Sequence, residues 1–277
     1  MFADNVLLVG NGINRTTENN ENWDGLLEVL SNKVDLPKEK KNGYFPLIFY
    51  ENIYLYGMKN KKIKNEHELK TAVKETLDKF RFTELHEKIV NSGFGNILTT
   101  NYDYTLENSV GGLNKAKITS EIKETRYSLF RRKEINGVNI WHIHGELGRR
   151  RASETIMLGQ EQYGGYMQHM RNYIISGRDE LKSVRYRMEN GDKKIKDIKS
   201  WVDLFFSKDI YIYGFGLDFS EYPLWWLLSF RHRKKFHKKL VSIIESYIED
   251  LKNSSEEDLR KNFQKKMNYI CRINSNE

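Results

Sequence analysis

Asn139-Ile-Trp-His-Ile-His-Gly-Glu-Leu147 is the stretch on which the fold is read. An apolar run of strand-forming residues delivers two histidines and then a glycine, the pattern of a strand end that opens into a tight loop. His142 and His144 alternate with Trp141 and Ile143, so strand periodicity puts both imidazoles on one face and the apolar pair on the other. Gly145 lets the backbone turn sharply after the second ring, which places that ring at the rim of a sheet. An imidazole titrates near neutral pH, and a rigid strand end beside a glycine is where a general base belongs. Taken alone, His144 is equally well a half-buried histidine bonded to backbone. Its neighbours along the chain decide between the two.

Upstream, Asn96-Ile-Leu-Thr-Thr100 reads as a second short strand that closes on Asn101-Tyr-Asp103. Nearer the start, Asn5-Val-Leu-Leu-Val9 is a continuous apolar run of the kind buried parallel strands show, and it ends in Gly10-Asn-Gly-Ile-Asn14. Two glycines directly after a strand suit a turn whose backbone N–H groups approach a pyrophosphate. The third glycine of the dinucleotide fingerprint is missing, and an ordinary strand-to-helix turn has the same form. Downstream, Asp209-Ile-Tyr-Ile-Tyr213 is another strand and ends in Gly214-Phe-Gly216.

Helical spacing fills most intervals: Leu26, Leu27 and Leu30; Leu69 to Ile89 within residues 65–92; and residues 104–110, 160–175 and 195–206. Helical spacing resumes at Leu224-Trp-Trp-Leu-Leu228 and again at Leu240, Ile243, Ile244, Tyr247, Ile248 and Leu251. Residues 111–137 read as loops and short strands, Tyr127-Ser-Leu-Phe130 among them, while residues 37–62 and 178–194 show no clear element. The order predicts an α/β fold: a Rossmann-like, mostly parallel sheet flanked by helices, with helical insertions and a helical C-terminal segment. Residues 1–235 form the expected nucleotide-binding domain and residues 236–277 the helical segment. The site is expected along the strand carboxyl ends.

Composition narrows the function classes. With 277 residues and 39% hydrophobic content, the chain can build a large core, which excludes global disorder. No apolar run approaches the ~20 residues that span a bilayer, and the start has no signal-peptide pattern, so a soluble cytoplasmic protein without a membrane partner is expected. A lone cysteine, Cys271, excludes an intrachain disulfide and a cysteine zinc ribbon. The net charge of +8 gathers at Lys59–Lys64, Arg149-Arg-Arg151 and Arg231–Lys235. These clusters suit an anionic partner, nucleic acid or a phosphate-bearing molecule; a solvated surface is the simpler reading of the first.

Gly10-Asn-Gly-Ile-Asn14, Thr99-Thr-Asn-Tyr-Asp103, His144-Gly145 and Gly214-Phe-Gly216 occur in the order and at about the spacing of the sirtuin motifs. Over residues 5 to about 230 the chain resembles the sirtuin-like NADases of bacterial anti-phage defence more than the protein deacylases. The resemblance implies that NAD is the substrate and that Gly10, Asn11, Gly12, Ile13 and Asn14 contact its diphosphate and ribose. It implies that Asn101 and Asp103, beside Thr100, hold the nicotinamide-side ribose and the carboxamide. His144, followed by Gly145, is the implied catalytic base, and Gly214, Gly216 and Asp218 would lie near the adenosine half. The deacylases carry a four-cysteine zinc lobe that this chain cannot build, so no metal is expected. It also departs at Asn11, Asn14, Thr100 and Phe215, changes that weaken peptide deacylation more than NAD binding.

Cleaving the bond from ribose C1′ to nicotinamide develops oxocarbenium character, as in glycoside hydrolysis. The demand is for a fixed ribose, a pocket that rotates nicotinamide, and a base near the ribose hydroxyls or water. Asn101, Asp103 and His144 can meet it; His142 reads as structural. An NAD+ glycohydrolase is therefore expected, controlled by a companion sensor protein encoded nearby, by an oligomeric switch, or both, with nucleic acid entering only through that partner. The C-terminal stretch and Trp225-Trp226 are candidate contact surfaces, with core packing the simpler reading of the tryptophans. Two alternatives stay open: a non-catalytic nucleotide- or nucleic-acid-binding module, and an NAD-dependent deacylase or ADP-ribosyltransferase.

Overall fold

The computed structural model describes residues 4–16, 22–40, 45–120, 122–124, 126–148, 155–190, 195, 197–234 and 240–242. Their strands are β1 (Val6–Val9), β2 (Asn96–Thr99), β3 (Lys117–Ser120), β4 (Arg131–Ile135), β5 (Val138–His142), β6 (Ile210–Tyr213) and β7 (Leu240–Ser242). They form one sheet in the order β3-β4-β5-β2-β1-β6-β7. Pairing is parallel from β5 through to β7 and antiparallel from β3 to β5. The register is level where it matters. Val9 lies opposite both Thr99 and Tyr213, and Thr99 lies opposite His142, so four strand carboxyl ends finish in one row. This is the α/β, Rossmann-like arrangement that the sequence predicts.

All four residues of β1 are buried, because helices cover both faces of the parallel part. The helices are α1 (Trp23–Lys33), α2 (Pro46–Lys59), α3 (His67–Leu77), α4 (Glu84–Val90), α5 (Thr105–Ser109), α6 (Gln160–Ser176), α7 (Val184–Asn190), α8 (Trp201–Ser207) and α9 (Tyr222–Arg233). On one face Leu8, Leu98, Trp141 and Ile212 meet Tyr166 of α6, Phe205 of α8 and Leu227 of α9. On the other, Leu7, Val9, Ile97 and Ile140 meet Ile89 of α4 and Leu106 of α5. Helices α1, α2 and α3 make a third core with Leu30, Ile53 and Val73, the helical insertion between β1 and β2. No helix of the described residues is long and apolar enough to cross a membrane.

Several local expectations change. The periodic stretch 65–92 is two helices, because the Thr83 amide donates to His86 Nδ1 and closes a new capping box at the start of α4. Residues 37–62, unassigned by pattern, contain α2, with Pro46 in its first turn. Tyr127–Phe130 is not a strand: the amides of Leu129 and Phe130 donate to the Glu124 carboxylate, and the strand starts at Arg131. The helix expected from residue 195 begins at Trp201, capped by Ser200. Within the unassigned 178–194, residues 184–190 form α7. Residues 240–242, expected to be helical, form β7 on the backbone edge that β6 offers; residues 243–277 lie outside the described residues. Asn136 and Gly137, both at positive φ, make the two-residue turn between β4 and β5.

The turn after β5 depends on Gly145. Its φ is +89°, and a Cβ there would lie 2.0 Å from the Thr155 carbonyl oxygen. Gly93 has a similar φ of +88° but open space beside it. Gly93→Ala is expected to cost about 1–2 kcal/mol from backbone strain alone. Gly145→Ala adds a backbone clash and should cost clearly more, lowering the melting temperature by roughly twice as much or beyond. Paired thermal melts check this; equal losses would refute it.

Candidate functional site

The loops after β1 and β6 pack backbone against backbone. Gly10 N donates to Tyr213 O at 3.1 Å and Gly12 N to Gly214 O at 2.8 Å. A Cβ on either Gly10 or Gly12 would come within 2.6 Å of Gly214 O. These glycines are therefore required by the approach of two protein loops, and the Gly10 and Gly12 amides donate across it. Gly214 takes φ +58°, and the space beside Gly216 is open. Asp218 caps the turn at 219–221 by accepting from Ser220 N, and its carbonyl accepts from Trp225 Nε1. Trp225 and Trp226 are half-buried against the core, as core packing predicts.

Ile13 and Asn14 are buried under this loop. Asn14 joins three segments. Its Nδ2 donates to Asn11 Oδ1 at 2.8 Å and to Asp103 Oδ2 at 2.9 Å. His86 Nδ1 accepts from a backbone amide, so its proton is on Nε2, which donates to Asn14 Oδ1 at 3.0 Å. Burial lowers the His86 pKa, against the pull of Asp103, and keeps the ring neutral. Asp103 Oδ1 accepts from the amide and hydroxyl of Thr105 and so starts α5. Both Asp103 oxygens are thus engaged within the protein. The carboxylate ties the first loop to the start of α5.

Thr100 N donates to Val9 O, which holds the β2 end against β1. Asn101 follows, buried, with Nδ2 within 3.4 Å of Gly10 O and its backbone carbonyl accepting from His142 Nδ1 at 2.8 Å. His142 Nε2 meets Glu107 Oε1 at 2.8 Å, both side chains being buried. Burial alone would raise the Glu107 carboxyl, but the charge and hydrogen bond of His142, with Lys133, outweigh it and hold the pKa below its ordinary range. His142 is the structural histidine that the sequence suggests. Glu146 lies next to this pair, bound by Arg131 Nε at 2.5 Å and by Lys133 Nζ.

His144 sits elsewhere. The strand ends at His142, so alternation does not carry on to residue 144, and the two histidines do not share surroundings. Nor does His144 stand at an open rim, since it is only 2% exposed. Its Nδ1 lies 3.2 Å from the Tyr163 hydroxyl of α6, and the two rings meet edge to face. Its Nε2 lies 3.1 Å from Glu221 Oε2, close but out of line for a hydrogen bond. Burial lowers the His144 pKa to about 3. Burial, with nearby Asp218, raises the Glu221 carboxyl to about 8. Both groups are therefore neutral near pH 7.

Buried polar atoms almost always find partners. Among the described residues Asn101 Oδ1, His144 Nε2, Glu221 Oε2 and the Tyr222 hydroxyl have none, and neither do Glu107 Oε2, Arg131 Nη2, Arg132 Nη1 and Arg231 Nη2. The first four come from the loops after the adjacent β2 and β5 and from the segment that runs from β6, across β1, into α9. Glu221 and Tyr222 escape sequence reading, although an acid shortly after the Gly214-Phe-Gly216 loop is the available signal. His86 escapes it because a histidine inside an apolar helical pattern carries no positional signature. Of the basic clusters, residues 149–151 lie outside the described residues, and Lys62 pairs with Asp35 on the surface. Arg231 is buried and donates to Phe205 O, so it is not a surface contact. Among the described residues no group of three His, Cys, Asp or Glu side chains is placed to hold a metal ion.

Residues 95–185 match the family model for the SIR2-like domain. The match spans β2 to α7 and contains Asn101, Asp103, His142, His144 and Tyr163, but not the loops after β1 and β6. It implies NAD binding or use. No curated protein matches the chain.

The Glu221 carboxyl has a thermodynamic signature. Its folded pKa of about 8 lies above the ordinary 4.5, so its stabilising effect is complete below pH 4.5 and lost as pH rises through 8. His144, lowered from 6.5 to about 3, acts in the opposite sense, with its contribution complete above pH 6.5 and lost as pH falls. Between pH 6.5 and 8 Glu221 dominates, and stability should fall by roughly 2 kcal/mol at ~1.4 kcal/mol per pH unit. Lys133, lowered to about 8, acts mainly above that window. Thermal melts of Glu221→Gln should lack this decline; an unchanged decline would show that another group causes it.

Proposed function

Because the chain is SIR2-like over residues 95–185, we propose that it is an NAD+ glycohydrolase, which converts NAD+ and water to nicotinamide, ADP-ribose and a proton. One observation carries the reading: Asn101 Oδ1 and His144 Nε2 are buried without partners on adjacent strand ends, both inside that segment. An amide oxygen in that state binds a hydroxyl or a water more strongly than one in solvent would. Neutral imidazole nitrogen, kept unprotonated by burial, accepts a proton from it. The residues present fit a substrate with hydroxyl groups at this place.

In this reading Asn101 orients the ribose hydroxyl or the attacking water, and His144 takes the proton. His142 acts through Asn101 by fixing its carbonyl, and Asp103 by fixing Asn14 and the start of α5. The glycine loops bring the β1 and β6 ends together, so that residues 218–222 cover the His144 side of the site. Developing positive charge at C1′ is best served by a fixed, water-poor pocket with aligned dipoles. Bonds to buried partners supply such alignment.

An enzyme that empties the NAD+ pool must be restrained, so control by a companion protein, an oligomeric switch or both belongs to the same proposal. The setting that fits is a trigger-dependent effector of anti-phage defence. Nucleic acid would reach it only through that companion.

The test is NAD+ consumption by the purified chain, alone and with the protein encoded beside it. His144→Ala and Asn101→Ala should each lower the rate by about 100-fold or more while melting within a few degrees of wild type. Addition of an acylated peptide should leave the products unchanged; its deacylation would turn the reading toward a deacylase. NAD+ that binds yet survives with the partner and candidate nucleotide triggers would make the chain a binding module.

A further inference from the structure

His144 ends a chain of hydrogen bonds whose direction is fixed at its far end. The Met157 carbonyl can only accept, and the Tyr102 hydroxyl donates to it at 2.5 Å. Tyr102 has then spent its proton, so its oxygen receives the Tyr163 hydroxyl with which it is hydrogen-bonded. Tyr163 has spent its proton in turn, and its oxygen can only accept from His144 Nδ1, 3.2 Å away. A neutral imidazole with its hydrogen on Nδ1 has its lone pair on Nε2. Nε2 lies 3.1 Å from Glu221 Oε2, near it but without a hydrogen bond, in a buried space. The chain is closed on itself, because Met157 N donates to the His144 carbonyl at 3.1 Å. Each link comes from a different part of the fold: Tyr102 after β2, His144 after β5, Tyr163 from α6 and Glu221 ahead of α9.

We infer that Tyr163 is a positioning residue, fixing His144 as the Nδ1–H tautomer through Tyr102, and that Glu221 stands beside Nε2 as a carboxylic acid until substrate takes its place. The inference names how the proposed base is set and therefore deepens the reading as a glycohydrolase. The substrate oxygen displaces Glu221, and its proton moves onto the Nε2 lone pair, while Glu221 keeps its own. Groups facing Glu221 are His144 from the β5 loop, Tyr102 from the β2 loop, Tyr163 from α6, and Asp218 and Tyr222 of its own segment. None is a cation while His144 is neutral, so nothing here favours an ionised carboxylate, in agreement with its raised pKa.

The tautomer is read directly by long-range proton–nitrogen NMR of the full chain with ring-labelled histidine, His144 being assigned from His144→Ala. At pH 7 the wild type should show a protonated Nδ1 and an unprotonated Nε2. Tyr102→Phe frees the Tyr163 proton to point at Nδ1 and should move the imidazole hydrogen to Nε2. Tyr163→Phe should lose the single tautomer and give a mixture. Glu221→Gln should keep the Nδ1–H form, because Tyr163 sets it, but should lose the shift change centred near pH 8. A wild-type Nε2–H form, or a folded Tyr102→Phe protein with an unchanged tautomer, overturns the inference. In NAD+ turnover Tyr163→Phe should lower kcat by about 10- to 100-fold with KM little changed. If the NMR results hold but NAD+ is never consumed, the tautomer assignment stands and the glycohydrolase reading falls.

Discussion

Level pairing of β5, β2, β1 and β6 is the constraint on which the rest depends. Parallel strands cannot be joined by tight turns, so each carboxyl end must release the chain into a loop on the same edge. With Val9, Thr99, His142 and Tyr213 in one row, the loops beginning at Gly10, Thr100, Ile143 and Gly214 have to share a narrow strip. Gly10 and Gly12 lie so close to Gly214 that no side chain fits between. The crowding is what brings Asn14 under Asp103, and residues 218–222 over His144.

Around this strip the buried polar groups fall into two kinds. The larger number are fully partnered. Asp203 accepts from Tyr173, from Arg187 twice, and from the amides of Lys199 and Ser200, so its burial beneath α6 is compensated on every side. Glu146 is similarly matched by Lys133 and Arg131, while Glu107 meets His142 through Oε1 alone. Removing one partner of such a set typically costs 3–5 kcal/mol, because the other charge stays behind in a poor solvent. These networks hold the loops in place.

The second kind has buried atoms left open: among the described residues these are atoms of Asn101, His144, Glu221 and Tyr222, and of Glu107, Arg131, Arg132 and Arg231. Leaving a polar atom unpaired in a protein interior costs about 1–3 kcal/mol each. Those of Asn101, His144, Glu221 and Tyr222 stand along the carboxyl edge, where an incoming polar molecule could meet them. The contrast between His142 and His144 makes the point within three residues. One ring has both nitrogens engaged in the scaffold, while the other has a nitrogen with no aligned partner.

Sequence alone determined the fold class and the row of candidate loops. Continuous apolar runs followed by glycine or asparagine encode buried parallel strands and their exits locally, and Val6–Val9, Asn96–Thr99, Val138–His142 and Ile210–Tyr213 all lie where those runs stand. Asn101 and His144 were legible for the same reason, since each follows a strand at its end. What only tertiary structure decided is what each loop atom faces. The Gly12 amide turned out to serve Gly214, the Asp103 carboxylate to serve Asn14 and Thr105, and residues 240–242 to join the sheet. Glu221, Tyr163 and His86 reach the site from distant helices and turns, carrying no local signature. Their roles depend on pairings between segments far apart in the chain, and a hydrogen bond or a burial shift exists only once those segments have met.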